Sequence, residues 1–146
     1  MTRIATRRPA VPIRDFAAVV HEFDLVSRHS LEEYRSGVYV RRAAERLVQL
    51  ACDLACEINC LMLVGAKGRP PEGFEESFHA MAKEGLLPAP LADKMLAVVA
   101  LRRRLIYGTD PDGDEQVHRR LPFFAVLLRE YGRHIEKVLE GPGGER

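Results

Sequence analysis

Apolar residues recur at intervals of three and four along most of the chain, the repeat of an α-helix with one side turned to a core. In IRDFAAVVHEFDLVSRH this repeat aligns Ile13, Phe16, Val19 or Val20, Phe23 and Val26. Pro12 precedes them and suits a helical first turn, where the N–H it lacks would have no partner. Ser30 and, three residues on, Glu33 have the form of a capping box, predicting a short helical turn over LEEYRSG. A longer helix is predicted from Val38 to Val64, ending at Gly65 and the GAKGRPPEG loop. Its residues Glu45, Gln49, Asp53 and Glu57 recur every fourth position and form one narrow polar strip. The rest of its circumference must be covered by other helices or by a second copy of the chain, which places this helix at the centre of the fold.

Phe74 to Lys83 reads as a short amphipathic helix, broken by Gly85, Pro88 and Pro90. The next is predicted over Pro90 to Tyr107, where Leu91, Met95 and Val98 trace a stripe that continues through Arg102 to Leu105. After the GTDPDGD loop a last helix is expected from Asp114 to Glu140, interrupted or bent near Pro122. Nothing alternates with a period of two for long enough to suggest a strand. The expected architecture is all-α: an antiparallel up-and-down bundle of four long helices and one or two short ones. It should form a single domain over residues 12–140, with flexible termini at 1–11 and 141–146.

A length of 146 residues suits one domain with its own core, and 47% apolar with 29% charged residues is the composition of a folded protein. The net charge of +1 argues against binding nucleic acid through bulk charge, so any phosphate recognition must be local. Arg3, Arg7 and Arg8 near the start are not followed by the apolar segment of a signal peptide. No run approaches the roughly 18 apolar residues of a membrane span, so a cytoplasmic protein that does not engage membranes is expected. Cys52, Cys56 and Cys60 stand four apart on one predicted helix. Three thiols along about two turns are too spread for one ion, and their odd number does not make a paired disulfide framework. They read as small packing residues, and no metal or cofactor is expected.

The chemistry concentrates in ALRRRLIYGTDPDGDE, beginning at position 100. Successive helical residues are turned by about 100°, so Arg102, Arg103 and Arg104 cannot share a face and each must serve a different neighbour. Arg102 continues the stripe of Leu91, Met95 and Val98, and Arg103 that of Leu96 and Val99. Cations at a helix C-terminus offset its dipole by about 0.3–1 kcal/mol each, which accounts for one or two of the three. Charge emerging from apolar stripes also needs partners. Two readings follow: ion pairs to the polar strip at Glu45, Asp53 or Glu57, or an anion-binding site for phosphate or RNA.

The segments RAAERLVQLACDLACEINCLMLV, RPPEGFEESFHAMAKEGLLPAPLADKM and ALRRRLIYGTDPD, in this order, resemble the HepT-like toxins of the HEPN superfamily. The resemblance spans about residues 12 to 140. It implies a helical homodimer, metal-independent cleavage of RNA in active members, and pairing with a minimal nucleotidyltransferase antitoxin. The family motif, roughly R-N-x-x-x-H-x-Y, falls with its Arg on Arg102, its Asn on Arg103, its His on Tyr107 and its Tyr on Thr109. Arg102 and Tyr107 are thus the catalytic positions the resemblance implies. Residues five apart on a helix point about 140° away from each other, so a site shared across a two-fold axis suits this spacing.

Histidine suits removal of a proton from a ribose hydroxyl at neutral pH, whereas a phenol is almost fully protonated there. The expectation is therefore a toxin–antitoxin component whose ribonuclease activity is weak or lost. The alternative is a non-catalytic helical dimer that binds a nucleotidyltransferase partner, a nucleotide or RNA. His118, beyond the loop, is the candidate for a displaced base. Arg129 to His134 and Arg14 to His21 also show an Arg-to-His spacing of this kind, at a frequency chance explains. In relatives the antitoxin adenylylates the motif tyrosine, which makes Thr109 or Tyr107 the candidate modification site here.

Overall fold

The computed structural model describes residues 10–67, 71–107 and 113–144. Over these the chain forms six helices and no strand: α1 (Ala10–Val26), α2 (Leu31–Ser36), α3 (Val38–Lys67), α4 (Phe74–Lys83), α5 (Ala89–Tyr107) and α6 (Gly113–Gly144). The capping box forms as the sequence predicts. The Glu33 N–H donates to Ser30 Oγ at 3.1 Å, and the Ser30 N–H donates to Glu33 Oε1 at 3.0 Å. That backbone donor, then His29 and the Ser30 hydroxyl, hold the Glu33 carboxyl below its usual range. Gly85 closes α4 with φ 73°, where a side chain would be strained. The Gly85 N–H returns to the Ala82 carbonyl and the Leu86 N–H to the Met81 carbonyl, at 3.1 and 2.8 Å, a Schellman closure.

Two expectations about breakers are corrected. α3 runs past Gly65 to Lys67, because one glycine costs only about 1 kcal/mol in a helix. Nor does Pro122 interrupt α6, whose one non-helical backbone position is Gly141, with φ 55° and ψ −174°. Proline removes a single internal hydrogen bond, and the buried Leu121, Phe124, Ala125 and Leu128 around it hold the helix against the core.

The four long helices form a ring in which α1 packs on α3, α3 on α5, α5 on α6 and α6 on α1. α2 lies across α3 and α6, and α4 across α3 and α5. Arg104 meets Gln116 and His134 meets Leu86, so α5 and α6 are antiparallel. Arg41 meets Asp114 and Asn59 meets Tyr131, so α3 and α6 run parallel across the diagonal. The bundle is up-and-down, as expected.

The core gathers Phe16, Phe23, Tyr34, Phe78, Phe124 and Tyr131 around α3, whose Ala44, Ala51 and Ala55 are fully buried. Small residues there let neighbouring helices approach closely. Gly132 does the same on α6: a Cβ at this position would stand 3.3 Å from the Phe16 ring. Tyr131 packs edge-on against Phe16 and Phe78, at 5.3 and 5.9 Å between ring centroids. Its hydroxyl donates to Asn59 Oδ1 at 2.6 Å, with the Ala55 carbonyl at 3.1 Å. The Asn59 amide donates in turn to Ser77 Oγ at 3.1 Å, and the Ser77 hydroxyl to the Phe74 carbonyl at 2.7 Å. This buried chain connects α6 through α3 to α4.

α3 also modifies the membrane expectation. Val38–Ala66 is long and apolar enough to cross a bilayer, with a mean hydropathy of 1.7 in its most apolar window. Half of that window is buried inside the protein, and covering by neighbouring helices accounts for that part of its apolarity. Cys52 is buried, with its thiol directed at the Val98 carbonyl at 3.7 Å, while Cys56 and Cys60 are half-buried. Burial pushes the thiols of Cys52 and Cys60 up to about 12 and about 11. The packing role expected of the cysteines thus holds fully for Cys52 and in part for the other two.

Tyr131→Phe should lower unfolding free energy by about 1–3 kcal/mol in urea titration, because Asn59 Oδ1 is left without its donor in a buried setting. Burial also raises the Tyr131 phenol well above 10 in the folded protein. The protonated form is therefore the one that folds. The associated stability is present below the unfolded value of about 10 and is lost as pH rises above it. Urea midpoints between pH 8 and 11 should fall less steeply with pH in Tyr131→Phe than in the native protein.

Candidate functional site

The last two turns of α5 carry the three arginines, and each guanidinium has its own set of neighbours. Arg102 lies with its Nη2 3.5 Å from Asp53 Oδ1 on α3. Its guanidinium carbon stands 4.7 Å from the centroid of the Phe74 ring, at the start of α4. Arg103 Nη2 donates to Glu75 Oε1 at 2.9 Å, one residue further along α4. Arg104 Nη2 donates to Gln116 Oε1 at 3.3 Å on α6 and lies over Gly113, where a Cβ would come within 2.8 Å of it.

Among these, Arg102 is the most enclosed. Its side chain is 26% exposed, against 67% for Arg103. The stripe that Leu91, Met95 and Val98 predict does carry it toward the interior, where Met95 and Val98 are buried. Stacking on Phe74 shields one face of the guanidinium, and the half-exposed Asp53 balances its charge at one edge. Its Nε is buried and makes no hydrogen bond among the described residues. Of the three carboxylates that the polar strip offers as partners, Asp53 is the one that meets Arg102. Glu45 is instead paired with Arg42 at 2.8 Å.

Tyr107 ends α5 with 78% of its surface exposed, and among the described residues it has no hydrogen-bond partner. Arg102 and Tyr107 are not brought together within one chain. Helical geometry turns one toward α3 and α4 and leaves the other in solvent. Thr109 lies outside the described residues.

His118 has a structural engagement. Its Nε2 donates to the His29 carbonyl at 2.6 Å, and its ring lies 5.7 Å from that of Tyr34. It thereby ties α6 to the α1–α2 connection. His134 is likewise held, 3.0 Å from the Leu86 carbonyl. Phe74, Glu75 and Gln116 are site neighbours that sequence reasoning did not single out. The only signal was that Phe74 and Glu75 open α4 directly after the Pro-Pro loop.

The fold is that of HEPN toxins. The Shewanella oneidensis HEPN toxin, solved in tri-AMPylated form in complex with its MNT antitoxin, superposes with a TM-score of 0.76 at 15% identity, over 88% of this chain and 96% of that one. A chain of a toxin–antitoxin MntA-HpeT mutant crystal structure also gives 0.76, at 16% identity, over 88% and 97%. Residues 12–108 match the family described as ribonuclease HepT-like, and the chain belongs to that family. A tRNA nuclease HepT from Aphanizomenon flos-aquae (strain 2012/KM1/D3) is 28% identical over 109 residues, covering 75% of this chain and 72% of that protein. The family match takes in Arg102 and Tyr107 and ends at 108, before Thr109 and His118.

Asp53→Asn should cost no more than about 1 kcal/mol in urea unfolding, because the carboxylate is half exposed and its pairing with Arg102 is screened by water.

Proposed function

We propose that this protein is the toxin component of a HepT and minimal nucleotidyltransferase pair, acting as a homodimer in the cytosol. In this reading Arg102 from the two copies forms a shared anion site that receives the phosphodiester of RNA. The observation that carries it is the setting of Arg102. Its guanidinium lies over the Phe74 ring with Asp53 at one edge, while Tyr107 is solvent-exposed five residues along the same helix. A two-fold partner is the simplest way for such a pair to meet across one cleft.

Cleavage of RNA without a metal needs a group to take the proton of the ribose 2′-hydroxyl as its oxygen attacks the phosphorus and the bond to the 5′-oxygen breaks, that oxygen leaving with a proton. It also needs a cation to stabilise the charge that develops on the phosphoryl oxygens. Arg102 meets the second need. The first falls to the position of Tyr107, where the family motif has histidine, and a phenol holds its proton at neutral pH. His118, with its Nε2 directed to the His29 carbonyl, is assigned in this reading to fastening α6 rather than to the role of base. The ribonuclease chemistry is therefore weak or lost. The exposed Tyr107 hydroxyl is the accessible acceptor for nucleotidyl transfer by the partner, with Thr109 as the other candidate.

One observation favours the second reading, a non-catalytic dimer that binds the nucleotidyltransferase, a nucleotide or RNA. All three arginines already have a partner inside the chain, at Asp53, Glu75 and Gln116.

Tyr107→His should raise metal-independent cleavage of tRNA, read on denaturing gels in EDTA, by about 100-fold or more, the range general acid–base groups supply. Arg102→Ala in the same background should abolish the gain. Strong cleavage by the native protein that depends on Arg102 would show the chemistry to be intact. No cleavage by either protein, with RNA still bound, would favour the non-catalytic dimer.

A further inference from the structure

The side of α3 that holds Arg102 through Asp53 continues toward the helix N-terminus as Gln49, Arg46, Arg42 and Tyr39. The steps are three and four residues, so these side chains form one line, about 21 Å long at 1.5 Å per residue. Tyr39 is 89% exposed, more than any other large apolar side chain described. Arg42 is paired with Glu45 yet remains 67% exposed. Arg46 is exposed and, among the described residues, bonds to the neutral amide of Gln49 at 3.5 Å and to no carboxylate. α5 is antiparallel to α3, so its turn from Arg102 to Tyr107 runs toward the end of the bundle where this line begins.

We infer that the line from Tyr39 to Asp53 is a track for single-stranded RNA leading to Arg102, with Tyr39 stacking on an unpaired base and Arg42 and Arg46 contacting phosphates. The inference rests on the proposed RNA site at Arg102 and adds positioning residues to it. An exposed aromatic beside cations at one-turn spacing is the combination that holds single strands, since each base offers a face and each link a charge. A duplex keeps its bases stacked and gives Tyr39 nothing to engage. A net charge of +1 leaves no general attraction for RNA, so a local strip has to provide it. The exposed Val38 beside Tyr39 would also suit a protein partner. Such a partner would have to bring a carboxylate of its own to Arg46, whereas every link of an RNA strand carries a charge for it.

The test is fluorescence anisotropy of a labelled oligouridylate of about 12 nucleotides, within the span of known single-strand sites, on the full chain. The native protein is compared with Tyr39→Ala, Tyr39→Phe, Arg46→Ala and Arg102→Ala, with circular dichroism and sedimentation run on each. Tyr39→Ala should weaken binding by about 10-fold or more, and Tyr39→Phe should retain it. Arg46→Ala should reduce the slope of log affinity against log salt by about 0.7, the loss of one single-strand phosphate contact. Binding that needs Arg102 but is unchanged in Tyr39→Ala and Arg46→Ala overturns the track and leaves the RNA site standing. No binding by the folded native protein overturns both. A changed oligomeric state in Tyr39→Ala makes the strip a subunit interface and also overturns the track.

Discussion

Successive residues of an α-helix are turned by about 100°, and at positions 102 to 104 that constraint sends three guanidinium groups to three other helices. Arg102 reaches α3 and α4, Arg103 reaches α4, and Arg104 reaches α6. The end of α5 is thereby tied on several sides, and the place where Tyr107 leaves the bundle follows from it. Arginine suits these positions better than lysine. A planar cation can lie against Phe74 with one face and still present N–H groups to Asp53 at its edge.

The position of α4 matters as much, because it brings Phe74 and Glu75 to the arginines. Beyond apolar packing, it is set by the buried chain from Tyr131 through Asn59 to Ser77 and the Phe74 carbonyl. In a low-dielectric interior each unmade bond in such a chain is costly, so the chain favours one position of α4 over others of similar apolar burial. The core and the site are thus mechanically connected: a phenol on α6 determines where the ring under Arg102 lies.

Membership of the HepT-like ribonuclease family and the retained bundle give a frame in which Arg102 is enclosed and Tyr107 exposed. Within one chain the frame keeps Arg102, turned toward α3 and α4, apart from Tyr107 in solvent. His118, beyond the loop, holds its Nε2 to the His29 carbonyl. The histidine that looked available in sequence is a fastening between helices.

Much of the architecture was legible from local signals. The three-and-four repeat located the helices, Ser30 and Glu33 marked the start of α2, and Gly85 closed α4, because capping and left-handed backbone are decided within a few residues. The turn per residue likewise determined that the three arginines must diverge. Tertiary contacts decided the rest. α3 continues through Gly65 because one glycine costs a helix little, and Pro122 leaves α6 uninterrupted because packing of its neighbours against the core outweighs one missing hydrogen bond. Asp53 rather than Glu45 became the partner of Arg102, and Phe74 its stacking surface, because those pairings join residues distant in sequence. Their geometry exists only once α3, α4 and α5 have come together.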